Sequence, residues 1–285
     1  MNREALQLPK VSIGMPVRNG GGRLPAALRS ILNQTEQDFE LIISDNGSDD
    51  GSSELLRRLA DDDSRVRYFR QDPAIRAYDN FHFVLSQARG RYFMWAAHDD
   101  TRDLDFVERL TAALNENKDA ILAFGDMNIV SPTDPAGTPY PFPFETKGMR
   151  TVARLWKLSR MQCFYLYGLW RTAAIRRVPY AYCAWWPDLP MMLSAAQLGT
   201  FIHVPGTCFH YWEVPKSNIS RVVYQDFASR FNLSMGVAGL IRATYRACSD
   251  VGGIWIGLYA ASLVILKQAV NLPSYLLRRL QATAR

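Results

Sequence analysis

Cysteine is scarce in this sequence, and the cysteines that are present stand far apart. Only four occur in 285 residues, at Cys163, Cys183, Cys208 and Cys248, and no two of them form a CxxC pair. Zinc sites and dense disulfide frameworks need closely spaced cysteines, so this pattern argues against both. It favours a reduced compartment, and we expect the protein to be cytoplasmic.

Long hydrophobic runs are also missing. Residues 1–10 contain no apolar core of the kind that a signal peptide requires, so export is not expected. Residues 251–266 carry no charge, but a helix of 16 residues is roughly 24 Å long and a bilayer core is about 30 Å thick. Basic residues follow, so residues 251–285 suit peripheral contact with the inner face of a membrane. A buried C-terminal helix is the alternative.

Acidic residues are few in the second part of the chain. Residues 1–150 hold 18 Lys and Arg against 23 Asp and Glu, whereas residues 151–285 hold 15 against 4, so the net charges are −5 and +11. A basic surface suits anionic lipid, nucleic acid or phosphorylated substrates. Because the basic residues are scattered and no zinc-finger or RRM-like signature is present, we expect no nucleic-acid partner.

What the sequence does contain is a regular alternation of strand and helix patterns. Runs rich in β-branched and aromatic residues predict strands at 11–17, 39–44, 65–70, 91–97 and 120–124. Apolar residues at helical spacing predict helices at 25–32, 53–60, 78–87 and 104–115. The alternation indicates an α/β fold with a Rossmann-like, doubly wound, mainly parallel sheet and helices on both faces. The proline-rich residues 131–144 predict a loop.

Polar clusters follow three of the predicted strands, at residues 18–22, 45–52 and 98–100. In a parallel sheet the carboxyl ends of the strands meet at one edge, where ligands bind. We therefore expect one cleft to gather the three clusters. No GxGxxG motif follows the first strand, which excludes a Rossmann dehydrogenase. Residues 19–25 faintly echo the glycine-rich loop of sugar-nucleotidyltransferases, although no suitably placed lysine follows.

Five short segments occur in an informative order and spacing. They are VSIGMPVRN at 11–19, SILNQT at 30–35, DNGSDDGS at 45–52, GRY at 90–92 and the pair Asp99-Asp100. Together they resemble family 2 glycosyltransferases, which have the GT-A fold, and the resemblance covers about residues 10–215. It implies a donor-binding half at 1–130, an acceptor-binding half at 131–215, and a flexible loop with a helical C-terminal extension at 216–285.

The resemblance also implies which residues bind the nucleotide of the donor. In such enzymes the carboxylate matching Asp45 accepts a hydrogen bond from the pyrimidine ring N–H, so a UDP-sugar is the expected donor. Taken alone, residues 45–48 are equally typical of an Asx turn that caps the next helix. The predicted nucleotide-binding residues are Pro16, Val17, Arg18, Asn19, Asp45, Arg76 and Asp99.

Asp99 and Asp100 match the DxD element of the family, whose last carboxylate coordinates Mn²⁺ or Mg²⁺. The ion bridges the diphosphate and neutralises the charge that develops when the bond to the anomeric carbon breaks. His98 stands where many relatives carry Asp, which leaves the metal chiefly to Asp100. His210 lies where some GT-A enzymes supply a third metal ligand, although a lone histidine is more often structural. Without a cation, the two carboxylates would form a solvated turn or a helix cap.

Asp188 matches the family's general base, with Pro187 in place of a preceding Glu. A base within hydrogen-bond reach of the acceptor hydroxyl removes its proton as the sugar is attacked from the face opposite the leaving group, which inverts the anomeric centre. The alternative for Asp188 is an N-cap of the helix predicted to follow it. Gly168, Trp170 and Trp186 match the sugar and acceptor subsites, although aromatic residues more often belong to the core.

These implications define the expected activity. We expect an inverting, metal-dependent glycosyltransferase that moves a sugar from a nucleotide-diphosphate donor to a hydroxyl of a glycan or polyprenyl-linked acceptor, in bacterial surface polysaccharide synthesis. Two alternatives stay open. One is a catalytically silent nucleotide-sugar binding module, suggested by His98 and Pro187, and the other is a sugar-nucleotidyltransferase.

Overall fold

The computed structural model describes residues 8–140, 144–161, 163–179, 188–213 and 233–266. The chain divides into two compact units. The first is drawn from residues 1–147, 165–176 and 201–215, and the second from residues 148–164, 177–200 and 216–285. The boundaries predicted at 130 and 215 separate donor-binding, acceptor-binding and C-terminal parts. The two compact units do not test that functional division, so these boundaries stay predictions.

One mixed sheet organises the first unit. Its strands are β1 (Val11–Val17), β2 (Phe39–Asp45), β3 (Val66–Arg70), β4 (Tyr92–Trp95), β5 (Thr101–Arg102), β6 (Ala120–Ser131), β7 (Asp134–Pro139), β8 (Leu169–Arg171) and β9 (Thr200–Trp212). The spatial order is β3-β2-β1-β4-β8-β6-β9-β5, and β7 pairs with β6. β3, β2, β1 and β4 are parallel, whereas β8 joins β4 and β5 joins β9 in antiparallel pairs. The predicted alternation of α and β elements is confirmed.

Four helices of the first unit lie within two residues of their predicted bounds. They are α1 (Leu24–Leu32), α2 (Ser52–Asp62), α3 (Ala77–Ser86) and α4 (Phe106–Glu116), and a short α6 (Thr172–Ile175) was not predicted. α1 shows why the prediction succeeds, because it buries Leu24, Ala27, Leu28 and Ile31, which fall on one face at helical spacing. A turn of 3-10 helix at Gly21–Arg23 precedes it.

The predicted loop at 131–144 is wrong in part, because β6 continues to Ser131 and returns as β7. The two strands form an antiparallel hairpin. β7 contains Pro135 and Pro139, which cannot donate to a sheet, but an edge strand tolerates them because its outer side needs no partner. The high proline content of residues 131–144 is thus why a loop was predicted where the structure has an edge strand. The short strands β5 and β8 and the long strand β9 were not predicted.

The second unit contains α5 (Thr151–Ser159), α7 (Asp188–Leu198), α8 (Leu233–Gly252) and a last helix, α9, at residues 254–266. α7 contacts both α5 and α8. Arg154 donates to the Ala196 carbonyl at 2.7 Å, and Ser194 donates to the Ala247 carbonyl. In the part of the chain that the structure describes, every helix is too short or too polar to span a bilayer.

Candidate active site

The loop after β1 is tied to the loop after β2 by hydrogen bonds. The Asn19 amide donates to Ser48 Oγ at 2.9 Å, and the Gly20 amide donates to Ser52 Oγ at 3.0 Å. Asn19 also adopts a left-handed backbone with φ of 50°, a conformation that asparagine tolerates better than most residues. Two of the three polar clusters thus lie side by side at the carboxyl ends of parallel strands, as predicted.

Asp45 ends β2 with a fully buried carboxylate that accepts from four donors. These are the Ser48 amide at 2.9 Å, Ser53 Oγ at 2.5 Å, Tyr68 Oη at 2.8 Å and Arg70 Nη1 at 2.9 Å. Burial raises the pKa of Asp45, but the hydrogen bonds from Ser48 and Ser53 outweigh it, so the net pKa is lowered. The contact with a pyrimidine N–H stays a prediction.

The other predicted nucleotide residues divide by exposure. Pro16 and Val17 are buried in β1, so a ligand would meet only their main chain. Arg18 is exposed just beyond them. Arg76 follows β3, which is parallel to β2, and therefore lies at the same edge of the sheet. Its Nε donates to Asp79 at 2.9 Å.

The Asp99-Asp100 pair follows β4, and the two carboxylates differ in exposure. Asp100 is buried, and its Oδ1 accepts from the Trp212 amide at 2.7 Å. Burial, and next the negative charge of Asp99, raise the pKa of Asp100 to about 7. A carboxylate in this state is stabilised in its ionised form when a cation approaches.

The donor atoms at this pair suit Mg²⁺ or Mn²⁺. Among the described residues, no three His, Cys, Asp or Glu side chains form a metal site. Mg²⁺ is usually bound through one or two carboxylates together with substrate phosphates, so two adjacent aspartates are sufficient protein ligands. Asp100 and Asp99 would hold such an ion, and the remaining ligands would come from the diphosphate and water.

His210 lies opposite Thr101 in the β5–β9 pair. Its Nε2 is 2.9 Å from Asp103 Oδ1, and the second oxygen of Asp103 accepts from the Cys208 amide at 2.8 Å. One ring nitrogen of His210 is therefore engaged with a structural partner. Its role as a third metal ligand stays a prediction.

Asp188 begins α7 in the second unit and is half-buried. Burial raises the pKa of its carboxyl to about 6. Such a group is ionised at neutral pH but is a stronger base than an exposed aspartate, which suits a general base. Trp186, predicted for the acceptor subsite, lies outside the described residues, as does Pro187.

Gly168 and Trp170 flank the start of β8 in the first unit. Trp170 is fully buried, with its Nε1 donating to the Leu166 carbonyl at 2.8 Å. The Trp170 ring packs edge-on against Trp95 and Phe201, so a sugar has no access to it. Trp170 is therefore a core residue, which was the alternative to a place in the sugar subsite. At Gly168 a Cβ atom would collide with a main-chain oxygen of β6, so close strand packing requires glycine.

Residues 12–165 match the family model described as Glycosyl transferase family 2, and this range is more than half of the chain. The chain belongs to family 2 of the glycosyltransferases. The membership predicted from the five sequence segments is confirmed. It also removes the nucleotidyltransferase alternative.

Curated relatives of this glycosyltransferase match it over part of their length. It is 34% identical over 94 residues to the GalNAc(5)-diNAcBac-PP-undecaprenol beta-1,3-glucosyltransferase of Campylobacter jejuni, covering 33% of this chain and 30% of that protein. It is 32% identical over 116 residues to glycosyltransferase GlyG of Streptococcus pneumoniae, covering 41% of this chain and 38% of that protein. In eight such relatives the matched part is between 17% and 47% of the relative's own length.

Solved structures of TarS from S. aureus share the fold. TarS 1-349 in complex with UDP-GlcNAc superposes with a TM-score of 0.65 at 14% identity, covering 85% of this chain and 67% of that one. A second TarS structure gives a TM-score of 0.57 at 15% identity, covering 83% of this chain and 43% of that one. The predicted GT-A fold with a helical C-terminal part is confirmed.

Two of the family segments have a structural role near the candidate site of this glycosyltransferase. Gly90 of the GRY segment has no room for a Cβ, which would lie 2.6 Å from the Ser12 amide nitrogen. Gln34 of the SILNQT segment is buried, donates to the Asp103 carbonyl at 2.7 Å and accepts from the Val107 amide at 2.9 Å. Gln34 therefore anchors the chain that leaves the Asp99-Asp100 pair.

Sequence reasoning missed three residues that surround this pair in the glycosyltransferase. Arg102 is buried, donates to the Trp95 carbonyl at 2.8 Å, and has its pKa lowered to about 10 by burial. Arg23 donates to the Asp99 carbonyl and stacks on the ring of Trp212. Nothing in the local sequence marks the contacts of Arg23, because Asp99 and Trp212 come from separate segments of the chain.

Proposed function

We propose that this family 2 glycosyltransferase is an inverting, metal-dependent enzyme that uses a UDP-sugar to glycosylate a hydroxyl of a glycan or lipid-linked acceptor, in bacterial surface polysaccharide synthesis. The observation that carries the proposal is the Asp99-Asp100 pair beside the tied loop after β1. The buried Asp100 is held by the Trp212 amide at 2.7 Å. The UDP-GlcNAc complex of the similar TarS structure and the undecaprenol-linked substrate named for the C. jejuni relative support this choice of donor and acceptor.

Charge explains why the donor half would need a cation. Two adjacent carboxylates repel each other and repel a diphosphate. A divalent ion bound there supplies charge neutralisation to the departing nucleotide diphosphate. The protein's own part is to fix the Asp100 carboxylate through the Trp212 amide, and to hold the loop carrying Arg18 and Asn19 in place.

The acceptor half requires a base, and Asp188 is our candidate. Its raised pKa of about 6 leaves it ionised at neutral pH and able to take the proton from an acceptor hydroxyl. Direct attack of that hydroxyl on the anomeric carbon forms the new glycosidic bond as the bond to the diphosphate breaks. One such displacement inverts the anomeric centre.

Calorimetric titration of the full chain with UDP, GDP and dTDP, in Mn²⁺ and in EDTA, tests the donor half. In Mn²⁺ we expect UDP to bind more tightly than GDP or dTDP. In EDTA we expect UDP to bind at least about tenfold more weakly than in Mn²⁺, because the ion relieves the repulsion between the carboxylates and the diphosphate. Absence of metal-dependent binding for every diphosphate would contradict the proposal. Binding without turnover of any UDP-sugar would instead favour the silent binding module.

The outer face of α9 supports peripheral contact with an anionic membrane surface. The exposed apolar residues on α9 are Ile254, Trp255, Leu258, Ile265 and Leu266, and Trp255 is 82% exposed. The opposite face buries Ala260 and Val264, so apolar residues lie on both the buried and the exposed side of the helix. Exposed tryptophan favours a membrane interface, and an excess of basic residues favours anionic lipid. The basic residues that follow α9 in sequence lie outside the described residues.

Substituting both Trp255 and Leu258 by Glu should weaken binding to phosphatidylglycerol-containing vesicles by at least about tenfold, since two apolar anchors are lost. Vesicle co-sedimentation measures the change. Leu104→Glu is the matched control, because Leu104 is an exposed leucine of the first unit. Point substitutions are preferable to truncation, which would also remove the buried side of α9. Unchanged co-sedimentation of the double variant with vesicles would overturn the proposed membrane contact. If the wild type is a dimer and the double variant a monomer, the exposed face of α9 instead binds a second copy of the chain.

A further inference from the structure

We propose that Arg23 binds the diphosphate of the donor, and that Trp212 and the main chain of Asp99 hold it ready to do so. This inference rests on the proposed function, because it concerns the same donor site. Arg23 lies where the turn after β1 passes into α1. It therefore stands at the carboxyl edge of the sheet, beside the polar cluster that follows β1.

The guanidinium of Arg23 is fixed on one face and along one edge. Its Cζ lies 3.4 Å from the centroid of the Trp212 ring, which covers the face. Its Nε and Nη2 both lie 3.3 Å from the Asp99 carbonyl oxygen, which occupies the edge. Among the contacts of the described residues, both N–H groups of Nη1 are left to donate to a ligand.

Within the described part of the chain Arg23 forms no ion pair with a carboxylate, although its charge acts on nearby Asp100 and lowers the pKa of that carboxyl against the larger opposing effect of burial. Other arginines of this unit pair with acids, as Arg67 does with Glu40 at 2.7 Å and Arg70 with Asp45 at 2.9 Å. Arg23 instead contacts a carbonyl and an aromatic ring. A planar guanidinium held by stacking loses little further freedom when it binds an anion, and its fork matches phosphate oxygens.

Trp212 couples this cation to the predicted metal site. Its ring supports Arg23, and its amide donates to Asp100 Oδ1 at 2.7 Å. One residue therefore orients both a positive group and a metal-binding carboxylate. A diphosphate bound through an ion at Asp100 would lie beside Arg23, so the two positive charges would act on the same anion.

Arg23→Gln should weaken binding of UDP, and of inorganic pyrophosphate, by roughly 10- to 100-fold in Mn²⁺, the loss typical for a charge-assisted hydrogen bond. Pyrophosphate is measured by competition with UDP, and Arg23→Lys should lose less because it keeps the charge. Arg29→Gln is the matched control, since Arg29 is exposed on α1. Mn²⁺ affinity without nucleotide, followed by electron paramagnetic resonance, should not fall in Arg23→Gln.

Trp212 offers an independent test that leaves the charge in place. Trp212→Leu keeps the main-chain bond to Asp100 but removes the stack, so UDP and pyrophosphate should both bind several-fold more weakly, and Trp212→Phe should lose less. Pyrophosphate binding that is unchanged in Arg23→Gln, in a protein whose wild type binds Mn²⁺ and UDP, would overturn this inference and leave the proposed function intact. A wild type that binds no diphosphate would defeat the proposed function itself.

Discussion

Asp188→Asn is expected to slow sugar transfer by roughly 10²- to 10⁴-fold, the range for loss of a general base, while UDP affinity stays within about twofold of wild type. Asparagine has nearly the same shape as aspartate but cannot accept the proton of the acceptor hydroxyl. Steady-state transfer assays and UDP calorimetry on the same preparation measure the two effects. Wild-type turnover in Asp188→Asn would remove this residue as the base.

The pH profile gives a second readout of the same substitution. Burial raises the pKa of Asp188 to about 6, and a base acts only in its ionised form. The rate of the wild type should therefore fall about tenfold for each pH unit below 6, whereas the residual rate of Asp188→Asn should lack this acid limb. The measurement needs saturating Mn²⁺, because the pKa of Asp100 is raised to about 7 in the absence of a cation.

Asp100→Asn should weaken Mn²⁺ binding by at least about 100-fold, because even the loss of a hydrogen-bond partner of a metal ligand costs 10- to 100-fold. UDP affinity in Mn²⁺ should then fall to the value seen in EDTA. The asparagine oxygen can still accept from the Trp212 amide, so the local main chain is preserved. Calorimetry of UDP with and without Mn²⁺ measures the loss.

The stability of Asp100→Asn separates a binding defect from a folding defect. A folded-state pKa raised above the usual aspartate value means that ionised Asp100 destabilises the metal-free fold as pH rises from about 4 through 7. Removing that charge should leave the melting temperature at pH 8 in EDTA unchanged or higher. Asp61→Asn, at an exposed position on α2, is the control with normal UDP binding. Metal-dependent UDP binding that persists in Asp100→Asn would place the ion elsewhere.

Short-range patterns accounted for most elements of the first unit. α1 was predicted from apolar residues three and four positions apart, and these residues are buried on one face in the structure. β1 and β2 were predicted from short β-branched runs, and both are buried along all seven residues. β7 was missed because its prolines and glycine carry a loop signal that an edge position overrides.

Burial of single side chains was beyond sequence reasoning. Trp170 matched a sugar subsite, yet packing against Trp95 and Phe201 makes it a core residue. Whether an aromatic ring faces solvent depends on the strands and helices that cover it. In this case the covering strands, β4 and β9, come from segments that are far apart in the chain.

The sequence by itself determined the family, the α/β alternation and the position of the polar clusters at strand ends, because each depends on residues close together in the chain. Only the tertiary structure decided what the side chains of these clusters contact. Asp45 accepts from Arg70, which is 25 residues away in the chain. The Asp99 carbonyl accepts from Arg23, which is 76 residues away, and Asp100 accepts from the Trp212 amide, which is 112 residues away. Contacts over such separations depend on which strands pair with each other, and the local spacing of residues in the sequence does not determine that pairing.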